Sequence, residues 1–142
     1  MITATARQFG YPKTLVHEST DWVILLRPAQ ATLGALVLAY KGQADSLADV
    51  PALAFATLPD LCKKLERALR DVFGADKFNY LALMMVDKDV HFHVLPRYEN
   101  SPSLNGKSYG DECWPGPPDV TRAHDLTDQD FNHLLKTLRQ RM

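Results

Sequence analysis

Residues 89–97 read Asp-Val-His-Phe-His-Val-Leu-Pro-Arg, and from Asp89 to Val94 ionisable and apolar side chains alternate without a break. In an extended strand, successive side chains point to opposite faces. Asp89, His91 and His93 therefore share one face, and Val90, Phe92 and Val94 share the other. The apolar face has to be buried beneath another layer, which commits the chain to a sheet with something packed on it. The ionisable face is costly to cover unless it meets solvent or a ligand.

The rest of the chain supplies such a layered domain. Thr14 to His17 reads as an extended piece, and Trp22 to Leu26 is a continuous apolar run of strand length. Arg27-Pro28 ends that run, because proline cannot donate to a ladder. Ala35 to Tyr40 forms a further strand, entered through Gly34. From Pro51 to Phe73 the period changes: Leu58, Leu61, Cys62, Leu65, Leu69, Val72 and Phe73 recur at three and four residues, the stripe of an amphipathic helix. Pro59 is awkward inside this span and predicts a split into a short and a longer helix, while Gly74 suits the position just past the end.

Phe78 to Val86 and Val90 to Arg97 read as two antiparallel strands joined by a tight turn at Asp87-Lys88. A loop rich in Pro, Gly, Ser and Asn then reaches to about Asp125. Thr127, with Asp130 three residues on, resembles a capping box ahead of a C-terminal helix that buries Phe131, Leu134, Leu135 and Leu138. The fold class is α+β: an antiparallel sheet covered by a main helix, with a second helix at the C-terminus. With 142 residues, 46% hydrophobic and 23% charged, the expectation is a single domain over 1–142.

Charge and cysteine usage narrow the function classes. A formal net charge of −1 gives no overall attraction to nucleic acid or an anionic membrane. Lys63, Lys64, Arg67 and Arg70 cluster, but as the solvated face of the long helix. Cys62 and Cys113 fit no zinc spacing. The start of the sequence lacks the apolar stretch of an export signal, and the longest apolar run, Leu33 to Tyr40, is too short to span a bilayer. These features predict a cytoplasmic protein with no nucleic-acid or membrane partner.

Three readings of the histidine strand follow from chemistry. It is the solvent face of an amphipathic strand, or a ligand set in which two imidazoles and a carboxylate hold iron or zinc, or a site of nucleophilic chemistry at phosphorus. In the third, a neutral imidazole attacks an activated phosphate ester and a second histidine steadies phosphate oxygens or the leaving group.

Asp89-Val90-His91-Phe92-His93-Val94-Leu95-Pro96-Arg97 resembles the signature of the histidine-triad (HIT) family, His-φ-His-φ-His-φ-φ with φ apolar, commonly followed by Pro-Arg. Trp22 to Val37 is similar to the family's early strand pair, and Phe78-Asn79-Tyr80 to its approach to the penultimate strand. The likeness covers residues 14 to 98, and Cys113-Trp114-Pro115-Gly116-Pro117-Pro118 is similar to the ending of one bacterial branch. The resemblance implies a five-stranded antiparallel sheet and a homodimer; no cofactor or metal is expected, since neither cysteine lies near a ligand partner in sequence and phosphate chemistry accounts for the histidine strand. It implies nucleotidyl transfer or hydrolysis at the α-phosphate of a dinucleoside polyphosphate or nucleoside phosphoramidate, with His91 as the nucleophile forming a nucleotidyl-histidine and His93 contacting the scissile phosphate. Arg27, Asn79 and Asp89 are the further substrate-binding candidates.

The sequence also departs from the family pattern. Asp89 stands in place of the first triad histidine, Ala35 in place of the histidine that follows the glycine of the second strand, and Met84-Met85-Val86-Asp87-Lys88 in place of a Gly-Gln-Ser/Thr arm. Asp89 is expected to line the pocket, repel polyphosphate and raise the pKa of the imidazoles. These departures keep two alternatives open: a nucleotide-binding module without turnover, and a metal-dependent hydrolase built on Asp89, His91 and His93.

Overall fold

The structure, a computed structural model, describes residues 2–142. Leu15–Glu18 (β1), Trp22–Leu26 (β2), Leu36–Tyr40 (β3), Lys77–Leu81 (β4) and His91–Arg97 (β5) form an antiparallel sheet in the order β1-β2-β3-β5-β4. β5 thus lies inside the sheet, opposite Leu36–Ala39 on one side and Lys77–Leu81 on the other. β3 and β4 both run antiparallel to β5, so they point the same way, and a helix has to carry the chain back between them. Ala52–Ala56 (α2) and Leu58–Phe73 (α3) do so.

The split expected near Pro59 is there. Pro59 lies in the first turn of α3, where a missing N–H costs nothing because that position has no carbonyl one turn back. At the other end Gly74 takes φ 71° and its N–H closes on the Arg70 carbonyl. α3 buries Leu61, Leu65, Ala68 and Leu69 against the sheet. Asp128–Arg141 (α4) adds Leu134, Leu135 and Leu138 to the same core, and the Thr127 hydroxyl caps it by accepting from the Asp130 amide. Val90 and Val94, with Phe92 at its margin, meet Trp22, Ile24, Leu26, Leu36 and Leu38 in this layer, as the alternation requires.

Two expectations change. β4 ends at Leu81 rather than Val86, and residues 82–90 are a loop instead of a tight Asp87-Lys88 turn. The reason is where Val90 is held: its N–H donates to the Ala44 carbonyl and its C=O accepts from the Tyr40 amide. The chain before β5 is therefore tied to the β3 side, and nothing remains for an extended β4 to pair with. Met85 and Val86, apolar in sequence, are left exposed.

The second change is at the N-terminus, where Ala4–Gln8 forms a short helix (α1) capped by the Thr3 side chain. This segment lies on the sheet face opposite α3. Ala6, Val23, Leu25, Val37 and Ala39 make a second small core there, edged by Ile2, Phe9, Tyr11 and Leu15. The sheet is covered on both faces, not one. Within the loop that follows β5, Ser103–Leu104 (β6) and Lys107–Ser108 (β7) form a small hairpin. Among the described residues no helix is long and apolar enough to cross a membrane.

Two glycines with positive φ separate backbone strain from crowding. At Gly74 (φ 71°) an added Cβ meets nothing within 4 Å, whereas at Gly34 (φ 90°) it comes within 2.5 Å of Leu69 Cδ2, a fully buried side chain. Gly74→Ala is expected to cost about 1 kcal/mol, the left-handed penalty alone, and Gly34→Ala distinctly more. Urea denaturation of the two variants checks the order.

Candidate active site

His91 and His93 lie opposite Ala39 and Val37 on β3, on the face turned away from α3. Their ring centroids are 5.0 Å apart in an edge-on arrangement. His91 Nδ1 is 2.7 Å from the backbone oxygen of Asp89. A carbonyl oxygen only accepts, so in the neutral ring this bond puts the proton on Nδ1 and leaves the lone pair on Nε2. The contact joins the first residue of β5 to the carbonyl two positions before it, in the bend that leads into the strand.

His93 is 6% exposed and its Nδ1 has no hydrogen-bond partner. Burial, then the nearby Arg27 cation, then His91 lower its pKa to about 4. Its neutral form is therefore the folded form at pH 7. Arg27, at the end of β2, is itself buried, and donates through Nη1 to the Ala29 carbonyl at 2.7 Å and through Nη2 to the Val120 carbonyl at 2.9 Å. Its Nε has no partner. A buried guanidinium with a spare donor beside a buried imidazole with a spare nitrogen is an arrangement that suits an anion.

Asp89 is placed differently from the expectation. Its backbone serves His91, but its carboxylate accepts from the Thr5 amide at 3.1 Å, and its own amide donates to Thr5 Oγ1 at 3.2 Å. It faces α1 rather than a phosphate pocket, and the raised imidazole pKa expected from it is replaced at His93 by a lowered one. With the carboxylate turned to Thr5, the three side chains do not converge. Among the described residues no three His, Cys, Asp or Glu side chains are arranged to hold a metal ion.

Asn79 lies further along, on β4 opposite Leu95. Its Oδ1 accepts from Arg97 Nη1 at 2.7 Å. Arg97 also meets the buried Asp111 carboxylate at 2.7 Å and donates to the Gly116 carbonyl at 2.9 Å. The Pro-rich loop is thus pinned through Arg97. His17, His124 and His133 stand on β1, at the Gln30 bridge and on α4, apart from this strand.

Three contributors, Phe9, Thr5 and Asp111, escape a reading of the sequence. Phe9 lies over the pair, its ring centroid 5.6 Å from each imidazole. Thr5 holds Asp89. The available signal was Thr3 ahead of Ala4-Thr5-Ala6-Arg7-Gln8, a capping residue before helix formers. Asp111, in a loop without spacing, offered none.

No family model matches the sequence, and no curated protein sequence matches it. Solved structures do. A histidine triad (HIT) protein from Sinorhizobium meliloti 1021 superposes with a TM-score of 0.75 at 18% identity, covering 100% of this chain and 96% of the other. A histidine triad protein from Marinobacter aquaeolei VT8 gives a TM-score of 0.71 at 21% identity, covering 89% and 86%. A hypothetical histidine triad nucleotide-binding protein from Sulfolobus tokodaii strain7 gives a TM-score of 0.71 at 18% identity, covering 90% and 82%. The chain has the HIT-like fold.

The depressed His93 pKa links this site to stability. The unfolded chain takes up the proton near the ordinary histidine value of 6.5, the folded chain only near 4. The unfolded state therefore binds more protons in that window, and the contribution, complete above pH 6.5, is lost as pH falls toward 4. Urea midpoints are expected to drop between pH 7.5 and 5 (on the order of the ordinary titration range), and His93→Gln to flatten that drop relative to wild type.

Proposed function

We propose that this chain is a cytoplasmic nucleotidyl hydrolase or transferase that acts at the α-phosphorus of a nucleotide conjugate, a dinucleoside polyphosphate or a nucleoside phosphoramidate. The observation that carries the reading is the 2.7 Å bond from His91 Nδ1 to the Asp89 carbonyl, which leaves the Nε2 lone pair as a nucleophile. The HIT-like fold supports it, since one of the similar structures is described as nucleotide-binding.

In the proposed reaction, His91 Nε2 bonds to the α-phosphorus and the bond to the leaving group breaks, its electron pair departing with that group. Water or an acceptor hydroxyl then attacks phosphorus and gives up its proton to solvent, the P–N bond breaks, and the imidazole regains its lone pair. Arg27 Nε and His93, buried beside one another, are proposed to face the phosphate oxygens, where charge accumulates. Asn79 and Asp89 act in this reading by holding Arg97 and the N-terminal helix in place. The half-buried β4 edge, with exposed Met85 and Val86 beyond it, is the surface on which the homodimer is proposed to form. Sedimentation at micromolar concentration is expected to show a dimer, and a monomer there would remove that part of the reading.

A non-catalytic nucleotide-binding module is the second reading, and one observation favours it: His91 is only 2% exposed. Rapid-quench trapping of labelled nucleotide on the protein separates the two. Wild type is expected to accumulate label, His91→Ala to lose both label and turnover, and His93→Ala to retain partial activity, lowered by about 3–4 kcal/mol of transition-state stabilisation. Measurable binding with neither label nor turnover in wild type would leave the binding module.

A further inference from the structure

His91 and His93 are 2% and 6% exposed, and Phe9 lies against both rings. A reacting phosphorus has to come within roughly 3–3.5 Å of the nucleophile. The Phe9 ring and a phosphate group therefore compete for the same space. We infer that residues 2–9 are a self-inhibiting cap, latched shut by Thr5 and Asp89, which lifts off the imidazoles when a nucleotide conjugate enters. The inference rests on the proposed function for the identity of the ligand, but the cap itself is a matter of contacts.

The segment is fixed at its base and lightly held at its tip. At the base, Arg139 of α4 donates to the Leu15 carbonyl at 2.6 Å and to the Lys13 carbonyl at 3.2 Å. Just before this clamp the chain turns sharply at Gly10, whose φ of 98° few other residues adopt. Thr14 braces the turn, its hydroxyl donating to the Phe9 carbonyl at 2.7 Å. Beyond the turn, the sheet-facing contacts of the cap are small: Ala6 is its one fully buried apolar side chain among the described residues, and Ile2 and Phe9 are only partly buried.

Two further holds remain: the Tyr11 amide donates to the Ala6 carbonyl at 3.1 Å across the turn, and Thr5 and Asp89 form a reciprocal pair. A carboxylate accepting from an otherwise unpaired amide in the first turn of α1 is a charge-assisted contact that closes firmly and breaks without leaving a buried polar group, since both partners reach water once apart. That account gives Asp89, the residue that departs from the histidine-triad pattern, a role of its own. It joins the cap to the residue whose carbonyl orients His91, so latch and nucleophile share one backbone unit.

The test measures access directly in the full chain. Carbethoxylation of His91 and His93 by diethyl pyrocarbonate, followed by mass spectrometry, is compared for wild type, Phe9→Ala and Asp89→Ala. Asp89→Ala removes the carboxylate that accepts from the Thr5 amide, while the backbone amide of residue 89 still donates to Thr5, and is expected to raise the labelling rate roughly tenfold, the scale of one hydrogen bond to a charged group. Rates equal to wild type in both variants overturn the cap. Should either variant fail to fold, native-state hydrogen exchange on wild type decides. Amides of Thr5 and Ala6 that exchange well before those of β3 support the cap, and exchange only through global unfolding overturns it. The two readings fail separately. Faster labelling with no adenosine phosphoramidate turnover sustains the cap and sinks the enzyme, whereas labelled nucleotide on His91 with unchanged access sinks the cap alone.

Discussion

The period-two alternation of β5 is the constraint on which the rest of the molecule depends. β5 has partners on both sides, so its register is held by two ladders at once. A slip of one residue against either neighbour would send Phe92 and Val94 to the histidine face and the imidazoles into the core under α3. Val90, Phe92 and Val94 would then lose their places in the core under α3, and that lost apolar burial selects the observed register. The same alternation that builds the core therefore delivers His91 and His93 to a common face of the sheet, with no separate device needed to bring them together.

Buried cations do for the irregular half of the chain what the ladders do for the sheet. The stretch after β5 has little regular structure, yet it is held at two points by guanidinium groups from strand ends. Arg97 gathers Asn79, Asp111 and the Gly116 carbonyl. Arg27 takes the Val120 carbonyl. Arginine suits this task because its planar fork satisfies several acceptors at once and its charge persists when buried. The second of these anchors is also the group beside His93, so the placement of the loop and the electrostatics of the site are set by one side chain.

The legible parts of the structure were those in which a period or a single backbone requirement decides the outcome. β2 reads off its apolar run, α3 off its stripe and its terminal Gly74, α4 off Thr127, and the two faces of β5 off their alternation. The sequence of residues 82–86 is apolar enough for a strand, but strand formation needs a partner, and Val90 is bound toward Tyr40 and Ala44 instead. That is a tertiary decision invisible in a local window. The N-terminal helix is five residues long and exists because it has a sheet to lie on and a carboxylate to meet its amide. Asp89 could be seen to share a face with the histidines, but not that its carboxylate would turn toward a residue 84 positions away. Its spacing was informative about direction and silent about company.

The Arg139 clamp has a bearing on when the molecule can become complete. The carbonyls it holds belong to residues 13 and 15, and the contact to Leu15 joins positions 124 apart in sequence. During synthesis β1 is made well before its anchoring guanidinium, which follows 124 positions later. Until then β1 has a ladder to β2 on one side and no hold on its outer backbone. A nascent chain thus carries an unsealed sheet edge until the residue 124 positions further on has been added, the kind of surface that chaperones bind and that pairs with stray strands. The last helix turn acts, in this sense, as the closing stitch of the first strand.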